Sequence, residues 1–213
     1  MGIPLSDCEV RDPRQKRTRR LLQDALRKLL RETLFEEILV QDITDVATVN
    51  RATFYDHYTD KFALFEAMVA GDFRELLDKR NIRFDGSCSA AIEAIVLAVC
   101  DYLKTIQGSK KQCANHGSFA PLLNSSVTKA IRIVLLEGLS KRGIPGGVPR
   151  DVLAATASSA IYGATREWFY GTKRQGNEEL VSFIGAVVGP MLKAGVGKGP
   201  GRFSPSRRSA GKV

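Results

Sequence analysis

The chain has 213 residues, 44% hydrophobic and 26% charged, with a net charge of +9. That length allows one large or two small domains, and the composition excludes collagen-like, coiled-coil and wholly disordered chains. The longest unbroken apolar run, Ala94 to Cys100, is seven residues, far below the roughly 20 that a membrane span requires, and the first twenty residues show no secretory pattern. A cytoplasmic protein is expected, with Cys8, Cys88, Cys100 and Cys113 as reduced thiols at unrelated spacings.

Residues 1–12 lack periodicity. Asp12-Pro13 followed by Gln15 supplies a cap, a first-turn proline and a capping-box partner, so a helix begins near residue 13. Its start lies in a cationic arm: residues 11–20 hold six basic side chains, Arg17 among them, against one acid. Such an arm suits a polyanion. Leu21, Leu22, Ala25, Leu26, Leu29 and Leu30 then form a 3.6-residue stripe, which predicts a helix ending near Thr33.

A short piece follows from Val40 to Ala47, with apolar Ile43, Val46 and Ala47, and after a break at Thr48-Val49 a second short piece runs from Arg51 to Tyr58, capped by Asn50. Neither is long enough to stand alone. A long helix over 60–80 carries Phe62, Phe65, Met68, Val69, Phe73, Leu76 and Leu77, with Gly71 as a tolerated glycine or a bend. Further helices are predicted at 89–106, 121–141, 151–170 and 178–192, the third rich in Ala, Ser and Gly. No strand alternation or hairpin signal appears, so the fold class is all-α. The segment 195–213 is rich in Gly, Pro, Ser, Arg and Lys and reads as a basic disordered tail.

Two short helices joined by a tight turn form a helix-turn-helix pattern, whose second helix fits the major groove of DNA. Ile43, Ala47, Val49, Phe54 and Tyr58 would pack the pair, leaving Gln41, Asn50, Arg51, Thr53, Tyr55 and His57 outside, where arginine can grip guanine and amides can read adenine. Lys61, in the first turn of the next helix, opposes the helix dipole, as suits a bound phosphate.

Residues 40–61, VQDITDVATVNRATFYDHYTDK, resemble the DNA-binding signature of TetR/AcrR-type transcriptional regulators. Val40, Asp42, Ile43, Ala47, Val49, Thr53, Tyr55, His57 and Lys61 match it outright, and the resemblance covers about 17–80. It implies an N-terminal helix-turn-helix domain with its connecting helix over 13–80, and a helical ligand-binding and dimerisation domain over 85–194. Gln41 would touch phosphate or a base edge, Asn50, Arg51, Ala52 and Thr53 would face the groove, and Tyr55, His57 and Lys61 would hold the backbone, with Arg17 in the basic arm. A homodimer through helices near 151–170 and 178–192 would bind a palindromic operator. A small-molecule effector entering between helices 89–106, 121–141 and 151–170 would swing the long helix and relieve repression.

The sequence departs from the family pattern at Leu39, Thr44, Thr48 and Asp56. Thr48 replaces the turn glycine, and a β-branched residue in a left-handed conformation costs on the order of 1 kcal/mol or more, so either the turn is bent differently or some stability is lost. Thr48 and Asp56 together leave a second reading, a helical ligand-binding or protein-interaction module without operator binding. Cys113 and His116 have zinc-like spacing but offer two ligands where a structural site takes four. No nucleophile–base pair, phosphate loop or dinucleotide fingerprint is present, so neither an enzyme nor a cofactor is expected.

Overall fold

A computed structural model describes residues 12–80, 89–107, 119–140, 148–171 and 176–194. The basic tail, the Cys113 and His116 pair, Cys8, Cys88 and the turn around 143–147 lie outside these residues. Eight helices are described: α1 (Pro13–Leu29), α2 (Val40–Ala47), α3 (Arg51–His57), α4 (Lys61–Asp78), α5 (Ser89–Gln107), α6 (Phe119–Ser140), α7 (Arg150–Tyr170) and α8 (Asn177–Ala194). No strand occurs among the described residues.

The caps explain where the first helices start. Asp12 accepts from the Arg14 N–H at 2.8 Å, with Pro13 in the first turn where its missing donor costs nothing. Leu39 has no side-chain acceptor for α2, and only the reciprocal half of a capping box forms: Asp42 Oδ2 accepts from the Leu39 N–H at 2.8 Å. Asn50 and Asp60 cap α3 and α4, accepting from the N–H groups of Thr53 and Ala63, each at 2.7 Å. The leucine stripe overshoots the end of α1. Past Leu29 the bonds tighten, Arg31 N–H donating to Lys28 and Glu32 N–H to Leu29, and the chain turns to bury Phe35 and Ile38.

α1, α2 and α3 pack on one another around Leu22, Leu26, Ile43, Phe54 and Tyr58, all buried. The body is a packed set of α5, α6, α7 and α8, with Ile95, Val99, Leu103, Val127, Ile131, Ala154, Ala157 and Ile161 inside. α4 joins the two, touching α1 on one side and α5 and α6 on the other. Its apolar side differs from expectation at Phe62, which is 51% exposed and leans edge-on against Phe35. Gly71 does not interrupt the helix, and a Cβ there would meet Gln23 Oε1 at an ordinary 3.7 Å.

Charged pairs tether α4 and the residues just after it to three helices. Asp72 takes Arg27 of α1 at 2.5 Å, Glu66 takes Lys129 of α6 at 2.5 Å, Arg74 reaches Glu137 of α6 at 2.6 Å, and Arg80 holds Asp101 of α5. α6 is the one described helix long and apolar enough to cross a membrane. It also carries Lys129, Arg132 and Glu137, and its buried Leu123, Val127 and Ile131 belong to the protein core, as expected of a core helix.

Candidate nucleic-acid interface

The site rests on a buried seat. Arg19, the seventh residue of α1, is 1% exposed, and its Nη1 donates to the His57 carbonyl at 3.2 Å, at the C-terminal end of α3. Its guanidinium also lies 4.5 Å from the Tyr58 ring centre. Gln23, one turn on, donates to the Tyr58 hydroxyl at 3.0 Å. A cation at a helix C-terminus is favoured by the helix dipole, and stacking on tyrosine adds to it. α3 has seven residues and is thereby held at both ends, by the Asn50 cap and by Arg19. Arg19 was indistinguishable in the sequence from the exposed cations around it. The only hint is its position three residues before Leu22, on the buried side of the stripe.

Of the two outcomes open for the turn before α3, the structure has the left-handed one. Thr48 has φ 56°, the only positive φ of a non-glycine among the described residues. Its N–H bonds back to Asp45 and that of Val49 to Thr44, closing the end of α2.

Gln41, Asn50, Arg51, Ala52, Tyr55 and, on α1, Arg17 are exposed, while Thr53 and His57 are half-buried. Arg51 donates from Nη2 to the Tyr55 hydroxyl at 3.3 Å and lies 5.9 Å from its ring, so each long side chain restrains the other one turn away. Gln41 Nε2 donates to Asp45 Oδ1 at 2.7 Å, which leaves its carbonyl oxygen as acceptor. The Asn50 side-chain oxygen serves the cap, and its amide hydrogens can donate. Exposed Asp56 adds an acid to the same helix.

Lys61 is engaged by its own chain. It was expected to bind phosphate, but its ammonium donates to three carbonyls of its own chain: Phe35 at 2.9 Å, Glu36 at 3.0 Å and Ile38 at 2.7 Å. An ammonium has three donors, and all three are committed. Lys61 ties the start of α4 to the turn between α1 and α2 and also lies 4.9 Å from the Phe35 ring.

In the body, an open groove of about 680 Å³ runs between α6 and α7. The expected effector walls included helix 89–106, but α5 contributes nothing to this groove. Tyr102 of α5 is buried in the core and Asp101 holds Arg80. No cluster of three or more His, Cys, Asp or Glu that could hold a metal occurs among the described residues.

The fold and the site define a helix-turn-helix protein with a helical C-terminal domain. No family model matches the chain. Over 72 residues, 33% of the chain, it is 39% identical to YxbF of Bacillus subtilis (strain 168), an uncharacterized HTH-type transcriptional regulator, of whose length the match spans 19%. Among solved structures it is similar to a TetR transcriptional regulator from Streptococcus agalactiae, with 21% identity, a TM-score of 0.48 and coverage of 85% of this chain and 99% of that one. It is also similar to GusR of Salmonella enterica, with 18% identity, a TM-score of 0.41 and coverage of 88% and 98%.

Proposed function

We propose that the protein is a TetR/AcrR-type transcriptional regulator that binds double-stranded DNA through α3. The observation that carries this reading is a seven-residue helix whose outer side presents Asn50, Arg51, Ala52 and Tyr55 to solvent while its inner side is fixed by Phe54, Tyr58 and Arg19. A helix with its side chains aimed outward on a rigid seat is suited to direct readout of base edges. Gln41, Thr53 and His57 flank it, and Arg17 on α1 supplies a sequence-independent phosphate contact.

Dimerisation through α7 and α8 completes the reading. Val152 on α7 and Phe183 and Val187 on α8 are exposed at 53%, 55% and 70%, an uneconomical arrangement for a monomer and a suitable one for a two-fold contact. The dimer would place two copies of α3 on a palindromic operator in the cytoplasm and repress by occupancy, with a small molecule in the body as the release signal. The 13–80 and 85–194 segments are its two working domains.

Gel-shift competition tests the reading. A promoter fragment from beside the gene is expected to bind at least a hundredfold better than random DNA, and equal binding overturns the proposal. Arg51→Ala is expected to relax base preference by about 1–3 kcal/mol, whereas Arg17→Ala weakens binding to all sequences and shallows the salt slope by about one counterion.

A further inference from the structure

Recognition of DNA makes no use of the groove between α6 and α7. On α6, Pro121, Ser125, Thr128, Lys129 and Arg132 line it at helical spacing, and on α7 Ala155 and the neighbouring serines are small enough to leave it open. Two cations line the groove and no carboxylate does.

The two cations are unequally occupied. Lys129 is paired with Glu66 of α4 at 2.5 Å, whereas Arg132 reaches Asp151 only at 3.8 Å. The Arg132 Nε is buried without an acceptor among the described residues. The Arg132 side chain as a whole is 44% exposed, so its terminal N–H groups, loosely held by Asp151, are open to an incoming oxyanion. The proline ring, the threonine methyl and the methylene stems of Lys129 and Arg132 offer carbon surface beside the charges. The lining therefore complements a molecule that is anionic at one end and apolar over the rest.

We propose that this groove binds a small organic anion, whose carboxylate or phosphate meets Arg132 and Lys129, and that binding draws Lys129 from Glu66 and so loosens α4 from α6. The inference rests on the effector-responsive reading above for its purpose. The binding itself is measured without DNA, so its failure and the failure of operator recognition are separate results.

The test titrates the full chain with the fluorescent anion 8-anilinonaphthalene-1-sulfonate and with its uncharged counterpart N-phenyl-1-naphthylamine. The sulfonate is expected to bind at one site per chain. Arg132→Gln and Lys129→Gln each weaken it about tenfold and leave the uncharged dye unaffected, while Glu66→Gln, which releases Lys129, tightens it severalfold. Benzoate and phenyl phosphate as competitors then tell a carboxylate site from a phosphate site. Sulfonate affinity unchanged in both cation variants, equal losses for the uncharged dye, or displacement by neither competitor overturns the site. Hydrogen exchange over 61–78 reads the second half of the proposal: faster exchange with the sulfonate bound supports the link to α4, and identical exchange overturns it.

Discussion

The guanidinium of Arg19 lies over the Tyr58 ring, 4.5 Å from its centre, and, through the His57 carbonyl, closes the last turn of α3. One side chain of the first helix thus positions the far end of the third. Arg19→Met keeps much of the apolar stem and removes the charge, the carbonyl bond and the stacking. A loss of about 2–4 kcal/mol is expected, the sum of a buried charged hydrogen bond and a desolvated cation–π contact. Urea unfolding measures it, and a loss below about 1 kcal/mol contradicts the seat.

Thr48 stores backbone strain that other residues would release. Asparagine tolerates the left-handed region and keeps an ordinary unfolded ensemble, so Thr48→Asn is expected to stabilise by about 0.5–1 kcal/mol. Thr48→Gly relieves the same strain but gains unfolded-state freedom, so its net effect is smaller. Paired thermal melts of the two variants check the order, which must be asparagine above glycine.

For Lys61 the expectation from sequence and the one from structure are opposed. A phosphate ligand would steepen the dependence of DNA binding on salt, and its removal would flatten it. Because the ammonium is committed to Phe35, Glu36 and Ile38, Lys61→Met is instead expected to leave the salt slope unchanged and to cost about 1–3 kcal/mol of stability through carbonyls left with fewer partners. Salt titration together with unfolding separates the two.

Asp72 and Arg27 give a pH-dependent asymmetry. Burial raises the Asp72 carboxyl above its ordinary value, with the bond to Arg27 opposing the rise, so a negative charge is held there at some cost. A carboxyl raised in the folded state binds more protons folded than unfolded, so its contribution to stability improves as pH falls through the raised value. In Arg27→Met the opposing cation is gone and Asp72 rises further. The variant is expected to lose about 1–3 kcal/mol at neutral pH and to recover part of it on acidification towards pH ~5, whereas Asp72→Asn costs less and shows no such recovery. Denaturation of both variants at several pH values decides it.

Val187 tests the proposed subunit contact. Val187→Asp places a charge at a position 70% exposed in the single chain, so it is expected to leave the monomer folded and to shift sedimentation to half the mass of the wild type. A wild type that sediments as a monomer at micromolar concentration overturns the contact directly.

Much of this architecture was readable from local signals. α2 has the expected limits, the starts of α1 and α3 fall at the expected caps, and α4 begins within one residue of its expected start, whereas Thr48 in the place of glycine left the bend of its turn open. What could not be read are relationships across the chain. Lys61 finds its carbonyls 23 to 26 residues upstream, Arg19 its partner 38 residues downstream, and Glu66 its lysine 63 residues away. A basic run shows composition, and only packing decides which of its members turns inward. The groove between α6 and α7 was illegible for the same reason, since helical periodicity identifies apolar stripes but does not say which two helices leave a gap.

If α3 enters the major groove as proposed, the Asn50 cap constrains what it can spell. An asparagine recognises adenine by offering hydrogens and an oxygen at once, but here one of the two lone pairs of that oxygen is already taken by the Thr53 N–H at 2.7 Å. Two amide hydrogens remain, and they suit any base edge that presents lone pairs: guanine through O6 and N7, thymine through O4. Among aligned binding sites of such a regulator, the column opposite Asn50 is then expected to favour the two keto bases, a degenerate letter beside the stricter one expected opposite Arg51.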